Sequence, residues 1–209
     1  PVTNWFFDLP AYESFLKDTV RSWEGDPRYR VGLIKTIKEF LRKPAIYVKK
    51  ELLEKVQEIK TMPAFTVTQE PQKASSALVF ADLTHRDQAV SLLEEHKIRY
   101  RTGKTLVPFR LSGNVKWGIP VPEADGVAGL TFWVWPESLW APISFTKAYL
   151  GDGIEGRQWE QWWKAEDAQA YQFIGEDNIY FYGIAELGLF HALNQGLQMP
   201  VIVPNHHLL

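Results

Sequence analysis

Four residues with chemical potential stand together at Gly175-Glu176-Asp177-Asn178, between an apolar run, Ala170 to Gly175, and an aromatic run that begins at Ile179. A carboxylate at the carboxyl end of a strand can accept hydrogen bonds from ribose hydroxyls, and a helix starting just after it adds donors for an anion. Asp177 or Asn178 could equally serve as the cap of that helix. In "FWVWPESLW", Trp135 and Glu137 set an aromatic wall beside a lone carboxylate, a pairing suited to a small ligand with an apolar side chain and an amine. Core packing of the tryptophan is the competing reading. A third set, Lys97, Arg99, Arg101 and Lys104, alternates along or just beyond an expected strand, so its charges share a face that could meet nucleic-acid phosphates. A solvated edge strand blunted by charge would carry the same pattern. His85, His96, His191, His206 and His207 complete the inventory; they lack HExxH spacing, no serine lies in a GxSxG elbow, and no GxGxxG or Walker loop occurs. No metal site is expected.

These residues need elements to hold them. Tyr12, Phe15, Leu16 and Val20 predict a helix after Pro10, and Val31, Ile34, Ile37, Phe40 and Leu41 a second one, started near Pro27 and stopped by Pro44. "VKKELLEKVQEIK" predicts a third, striped by Leu52, Leu53, Val56 and Ile59. Thr61 to Ser76, with two prolines and few anchors, reads as a linker or irregular excursion. The segment from Ala77 to Arg101 reads as a small β-α-β unit and looks inserted. A Gly/Pro-punctuated loop then leads into an expected strand, Gly129 to Trp135, apolar at nearly every position as in strands buried on both faces. A short polar-aromatic helix, a buried strand "AYQFIG", a helix closed by Gly196 and a strand "PVIVP" follow. Strand and helix alternating in this way predict a doubly wound parallel sheet. His206 and His207, after the last strand, would lie on its ligand-binding edge.

The composition narrows the classes. The 209 residues are 45% apolar and 14% aromatic, enough for a substantial core. A formal charge of -2 gives no global attraction to polyanions, so any such partner must be gripped locally. Zero cysteines exclude disulfides and thiolate chemistry. No signal peptide or membrane span is apparent, and the expectation is a soluble, cytoplasmic protein. The start at Pro1, without methionine, suggests a processed product or a piece of something longer.

Several ordered segments resemble the class I methionyl-tRNA synthetase family. "NWFFDLPAYESFL", Asn4 to Leu16, resembles the phrase that follows the family's connective-peptide zinc knuckle. "VKWGIPVP", Val115 to Pro122, resembles its WG-x-PVP loop, "FWVWPESLWAPISFT" its F-x-VW-x-(D/E)-APIGYIS segment, and "WWKAEDAQAYQFIGEDNIYFY" its YWK...YHFIGKDN-x-x-FH segment. The likeness covers about residues 4 to 43 and 107 to 205. It implies an α/β fold: half of a Rossmann-type parallel sheet (107–209), with an N-terminal helical connective segment (1–43) and an inserted piece (44–106). It also implies ATP with magnesium, methionine and tRNA as reactants of a longer parent. The family's HIGH motif would precede Pro1 and its KMSKS loop would follow Leu209, so the chain alone is expected to be inactive. By resemblance, Trp135, Glu137, Ser138, Leu139, Pro142 and Tyr182 line the amino-acid pocket, and Gly175, Glu176, Asp177 and Asn178 the nucleotide edge. Lys97, Arg99, Arg101 and Lys104 become possible tRNA contacts. Three positions depart from the family: Glu176 replaces a lysine, Tyr182 a histidine, and Pro142 the pocket tyrosine. The alternative is a non-catalytic synthetase paralogue that binds tRNA, an amino acid or a protein.

Overall fold

The computed structural model describes residues 3–151 and 158–206. In chain order the elements are β1 (Phe6–Phe7), α1 (Glu13–Ser22), α2 (Val31–Phe40), β2 (Ala45–Lys49), α3 (Leu53–Gln57), β3 (Phe65–Gln69), β4 (Ser75–Phe80), α4 (Leu83–Glu95) and β5 (Tyr100–Thr102). Then come β6 (Phe109–Arg110), β7 (Ser112–Gly113), β8 (Thr131–Phe132), α5 (Val134–Leu150), α6 (Glu160–Trp163), β9 (Tyr171–Gly175), α7 (Glu186–Leu193) and β10 (Val201–Asn205). A 3-10 turn, Glu176–Asn178, and a π-helical turn, Phe181–Ala185, lie between β9 and α7. The chain divides into two compact units: Pro1–Lys38 with Pro108–Leu209, and Glu39–Val107.

The first unit is built from two separate stretches of sequence, and backbone pairing joins them. β1 pairs antiparallel with β6, Leu111 N–H donates to Trp5 C=O at 2.9 Å, and Trp133 N–H donates to Leu111 C=O at 2.8 Å. α1 forms where the apolar spacing places it; α2 forms too, but it begins at Val31 rather than near Pro27, and Val31 of the expected stripe is exposed while Leu33 is buried. Their buried residues, Leu16, Val20, Leu33 and Ile37, join Leu9, Leu139, Ile184, Leu187 and Ile202 in the fully buried set. α7 comes close to Leu9 through Gly188: a Cβ there would stand 2.7 Å from Leu9 Cδ1.

β9 and β10 pair in parallel, Gly175 opposite Asn205. Among the described residues this is the one parallel pair; the remaining strand pairs are antiparallel. The long strand expected at Gly129 to Trp135 is corrected to two residues, Thr131–Phe132, after which the chain enters α5. Pro136 explains this. It sits in the first turn of α5, where its missing N–H would have had no intrahelical partner anyway, so it opens a helix rather than ending a strand. β9 forms as expected but is not buried on both faces: Phe173 is 72% exposed. The expected helix closure at Gly196 is corrected to Asn194, which caps α7 in the left-handed conformation.

The second unit is a four-stranded antiparallel sheet in the order β3-β4-β2-β5. β4 and β5 run parallel with β2 between them, so the expected β-α-β unit is a split one whose two strands do not touch. Two further expectations are corrected here. The helix expected over Val48 to Lys60 is preceded by strand β2 at Ala45–Lys49 and shortens to α3, and the supposed linker Thr61 to Ser76 contains β3 and the start of β4. Ile46, Val48, Leu78 and Phe80 meet Val56 of α3 and Ala89 and Leu93 of α4 in one core. Leu78 is fully buried, so Leu78→Ala is expected to cost about 2–5 kcal/mol. Amide exchange in β2 and β4 under native conditions would read this; protection unchanged from wild type would refute the core assignment.

Candidate functional site

The carboxyl ends of β9 and β10 lie side by side, and the polar residues of interest gather there. Asp177 curls back over Gly175 so closely that a Cβ on residue 175 would meet Asp177 Oδ1 at 2.5 Å. Asn178 Nδ2 donates to the same oxygen at 3.2 Å. Glu176 pairs with His206 Nδ1 at 3.1 Å, so His206 does stand at this edge; His207 lies outside the described residues. Arg30 reaches the same end of β10 and donates to the Pro204 carbonyl. Asp177 and Asn178 do not act as the expected cap of a long helix; they belong to the short 3-10 turn.

The aromatic wall comes from two elements. Trp135, in the first turn of α5, stacks on Phe181 with ring centroids 3.6 Å apart and planes 6° from parallel. Phe109 and Tyr180 meet Phe181 edge-on at 6.3 and 5.6 Å. Tyr182 follows in the π-helical turn and is half-buried; burial first, then the nearby Glu186 charge, raise its phenol pKa. Burial pushes Tyr180 up to about 12. Glu137 and Ser138 are half-buried on α5, whereas Leu139 is fully buried and packs in the core. Pro142 lies inside α5, where its ring nitrogen cannot donate to the Ser138 carbonyl one turn earlier. Trp135 and Glu137 are thus helix residues, not strand-end residues.

Sequence reasoning missed one buried pair. Glu186, the first residue of α7, is fully buried, and Gln172 of β9 donates Nε2–H to its Oε1 at 2.9 Å. Glu186 Oε2 and Gln172 Oε1 are both buried without a partner. A carboxylate oxygen buried with no donor favours the protonated form, which removes the charge and turns one oxygen into a donor. Burial accordingly pushes the Glu186 pKa up to about 8, with the Gln172 hydrogen bond opposing.

The other described histidines make local contacts away from this edge. His191 stacks on Phe15 at 3.7 Å, His85 contacts Asp82 at the start of α4, and His96 reaches the Leu92 carbonyl. Among the described residues no three His, Asp or Glu side chains converge to hold a metal. No helix is long and apolar enough to cross a membrane among the described residues. In the second unit, considered by itself, Lys97 occupies a left-handed turn, Arg99 is exposed just before β5, Arg101 lies on β5, and Lys104 pairs with Glu39 at 3.1 Å.

Residues 80–209, from the end of β4 through the whole parallel pair, match the family described as tRNA synthetases class I (M). The chain belongs to this family. Among curated relatives, the methionine–tRNA ligase of Korarchaeum cryptofilum is 36% identical over 104 residues, covering 50% of this chain and 18% of the relative. That of Porphyromonas gingivalis is 39% identical over 87 residues, 42% of this chain and 12% of the relative. That of Sulfurisphaera tokodaii is 32% identical over 98 residues, 47% and 17% respectively. The chain therefore spans under a fifth of the length of these relatives.

Glu186 gives a test of the buried pair. Its carboxyl titrates near 4.5 when exposed and near 8 when folded, so the folded chain binds the proton more tightly. Its contribution to stability is full below pH 4.5 and is lost as pH rises through 8. The melting temperature should fall over that interval. Glu186→Gln, which supplies its own donor to Gln172, should flatten the profile and melt higher at pH 8; a parallel pair of curves would refute the assignment.

Proposed function

We propose that this chain forms the aminoacyl-adenylate half-site of a methionyl-tRNA-synthetase-like protein, within a Rossmann-type sheet completed by the rest of its parent. The observation that carries this reading is the parallel pair β9–β10, inside the family match, with Gly175 to Asn178 at its carboxyl edge. Exposed Tyr171 and Phe173 on β9 support it, because a strand with bare aromatics suits the edge of a larger sheet.

In the reaction proposed for the parent, the amino-acid carboxylate attacks the ATP α-phosphorus, forming the mixed anhydride and releasing pyrophosphate; a tRNA hydroxyl then attacks the acyl carbon, the acyl–phosphate bond breaks, and AMP leaves. Trp135 on Phe181, with Tyr182 beside them, supplies the apolar wall for the amino-acid side chain. Glu137 accepts the α-ammonium, and Asp177 accepts from the ribose. Ser138 and Pro142 line the approach along α5, while Leu139 supports the wall from the core. Asn178 holds the Asp177 carboxylate in place. No step here needs the chain to bind a metal by itself.

The second reading, a non-catalytic paralogue, rests on the charge at the nucleotide edge. Glu176 and Asp177 are adjacent carboxylates, and Glu176 stands where the resemblance puts a lysine. Two like charges disfavour a triphosphate unless His206 offsets one of them.

Amino-acid-dependent ATP–pyrophosphate exchange by the full-length parent decides between the readings. Methionine-dependent exchange is expected from the parent, and none from these 209 residues alone, which contain neither HIGH nor KMSKS. Folded parent that exchanges with no amino acid would be the binding module. In an active parent, Glu176→Lys should lower the KM for ATP about five- to tenfold by removing a repelling charge and adding an attracting one. An unchanged KM would remove the 3-10 turn from the nucleotide site.

A further inference from the structure

The inserted sheet has a covered face and an open one. Side chains alternate along each strand, and Ile46, Val48, Leu78 and Phe80 turn toward α3 and α4. Their neighbours turn the other way, where no element of this unit packs over them. The register sets one row across the open face: Thr68 of β3 opposite Ala77 of β4, Ala77 opposite Tyr47 of β2, and Tyr47 opposite Arg101 of β5. Thr68 and Ala77 are small, so they leave a shelf beside the Tyr47 ring.

The ring is held in place. Gly103 runs so close to it that a Cβ there would meet Tyr47 Cε2 at 3.1 Å, and the Gly103 N–H donates to the Ala45 carbonyl at 2.8 Å. The Arg101 guanidinium lies 5.3 Å from the ring centroid. A groove of about 750 Å³ follows this face, rimmed by Arg42, Lys43, Lys73, Arg101 and Lys104 against two carboxylates, Glu39 and Glu70. Both carboxylates are engaged, Glu39 by Lys104 at 3.1 Å and Glu70 by Lys73 at 2.7 Å. Arg42, Lys43 and Arg101 have no carboxylate within ion-pair distance among the described residues. A chain of net charge -2 therefore concentrates unneutralised positive charge around one aromatic on an open sheet.

We propose that this face binds an unpaired stretch of polynucleotide, one base stacking at Tyr47 while Arg42, Lys43 and Arg101 take the flanking phosphates. The combination selects for single strands. An aromatic ring on a flat sheet can use only the π-face of a base, which a duplex keeps stacked inside, and the surrounding cations supply the sequence-independent grip. A base arriving on the ring displaces the Arg101 guanidinium without breaking an ion pair, leaving that cation free for the backbone. An acidic peptide would use the cations but have no use for the ring and shelf. The surface stands on the second unit alone, so its failure would leave the adenylate reading untouched, and the reverse also holds.

The test is fluorescence anisotropy of the whole chain with labelled single strands of about ten nucleotides, RNA and DNA of one mixed sequence, and with the corresponding duplexes. Binding to the single strands at least about tenfold tighter than to duplexes is expected. Preference for RNA or for DNA then assigns the source. Tyr47→Phe should bind within about twofold of wild type and Tyr47→Ala about tenfold or more weaker, with melting curves establishing that each variant is folded. Arg101→Ala should reduce the slope of log affinity against log salt by about one. If the folded chain binds no single strand, or Tyr47→Ala binds as wild type does, or polyglutamate competes as well as the oligonucleotide, the proposal is overturned.

Discussion

The first unit depends on a closure: Trp5 and Phe6–Phe7 must meet the segment around Phe109 to Trp133 before α1, α2, α5 and α7 can share one core. Ordering a long intervening stretch would be a poor way to hold two strands of two residues each. The cost of closing a loop, however, grows only with the logarithm of its length, and it falls further when the loop is itself folded. The stretch Glu39–Val107 meets that condition with its own sheet and its own core. Residues such as Ser112, whose Oγ accepts the Trp5 N–H at 2.8 Å, then fix the junction through side-chain contacts that a short pair of strands cannot supply.

Legibility followed the reach of the forces involved. α1 and α2 were readable because a 3.6-residue stripe is a local signal. β2 was not: in "PAIYVKKELLEKV" the lysines run straight into a Leu-rich helical pattern, and the strand is decided by pairing with β4 and β5 on both sides. β3 did leave a trace, since Phe65-Thr66-Val67-Thr68 alternates, but flanking Pro63 and Pro71 drew the reading toward a linker. The apolar run to Trp135 carried no periodicity at all, and short runs of that kind cannot separate strand from helix. What resolved it was Pro136, which lies in the first turn of a helix and not at the end of a strand.

The candidate site divides in the same way. Gly175 to Asn178 and Trp135 stood out from their types and their neighbours. The stack of Trp135 on Phe181 and the pairing of Glu176 with His206 join residues far apart in sequence, so only the fold could supply them. Glu186 is the clearest case. In the sequence it is one acidic residue within an expected helix, where a carboxylate is ordinarily exposed. Burial reverses this, because desolvation of the charge outweighs the Gln172 hydrogen bond and raises the pKa.

The two surfaces of interest therefore place charge in opposite ways. At the end of β9 and β10, carboxylates cluster at an edge where an anionic nucleotide would arrive, so binding there would depend on donors: His206, the backbone and whatever a parent adds. On the inserted sheet, cations exceed the carboxylates, and the two carboxylates are already engaged by lysines. Electrostatics alone would send a polyanion to the second surface before the first. If both proposals hold, the two ligands would be separated by charge: a polynucleotide would be drawn to the inserted sheet, and the β9–β10 edge would select its ligand by shape and hydrogen bonds rather than by attraction.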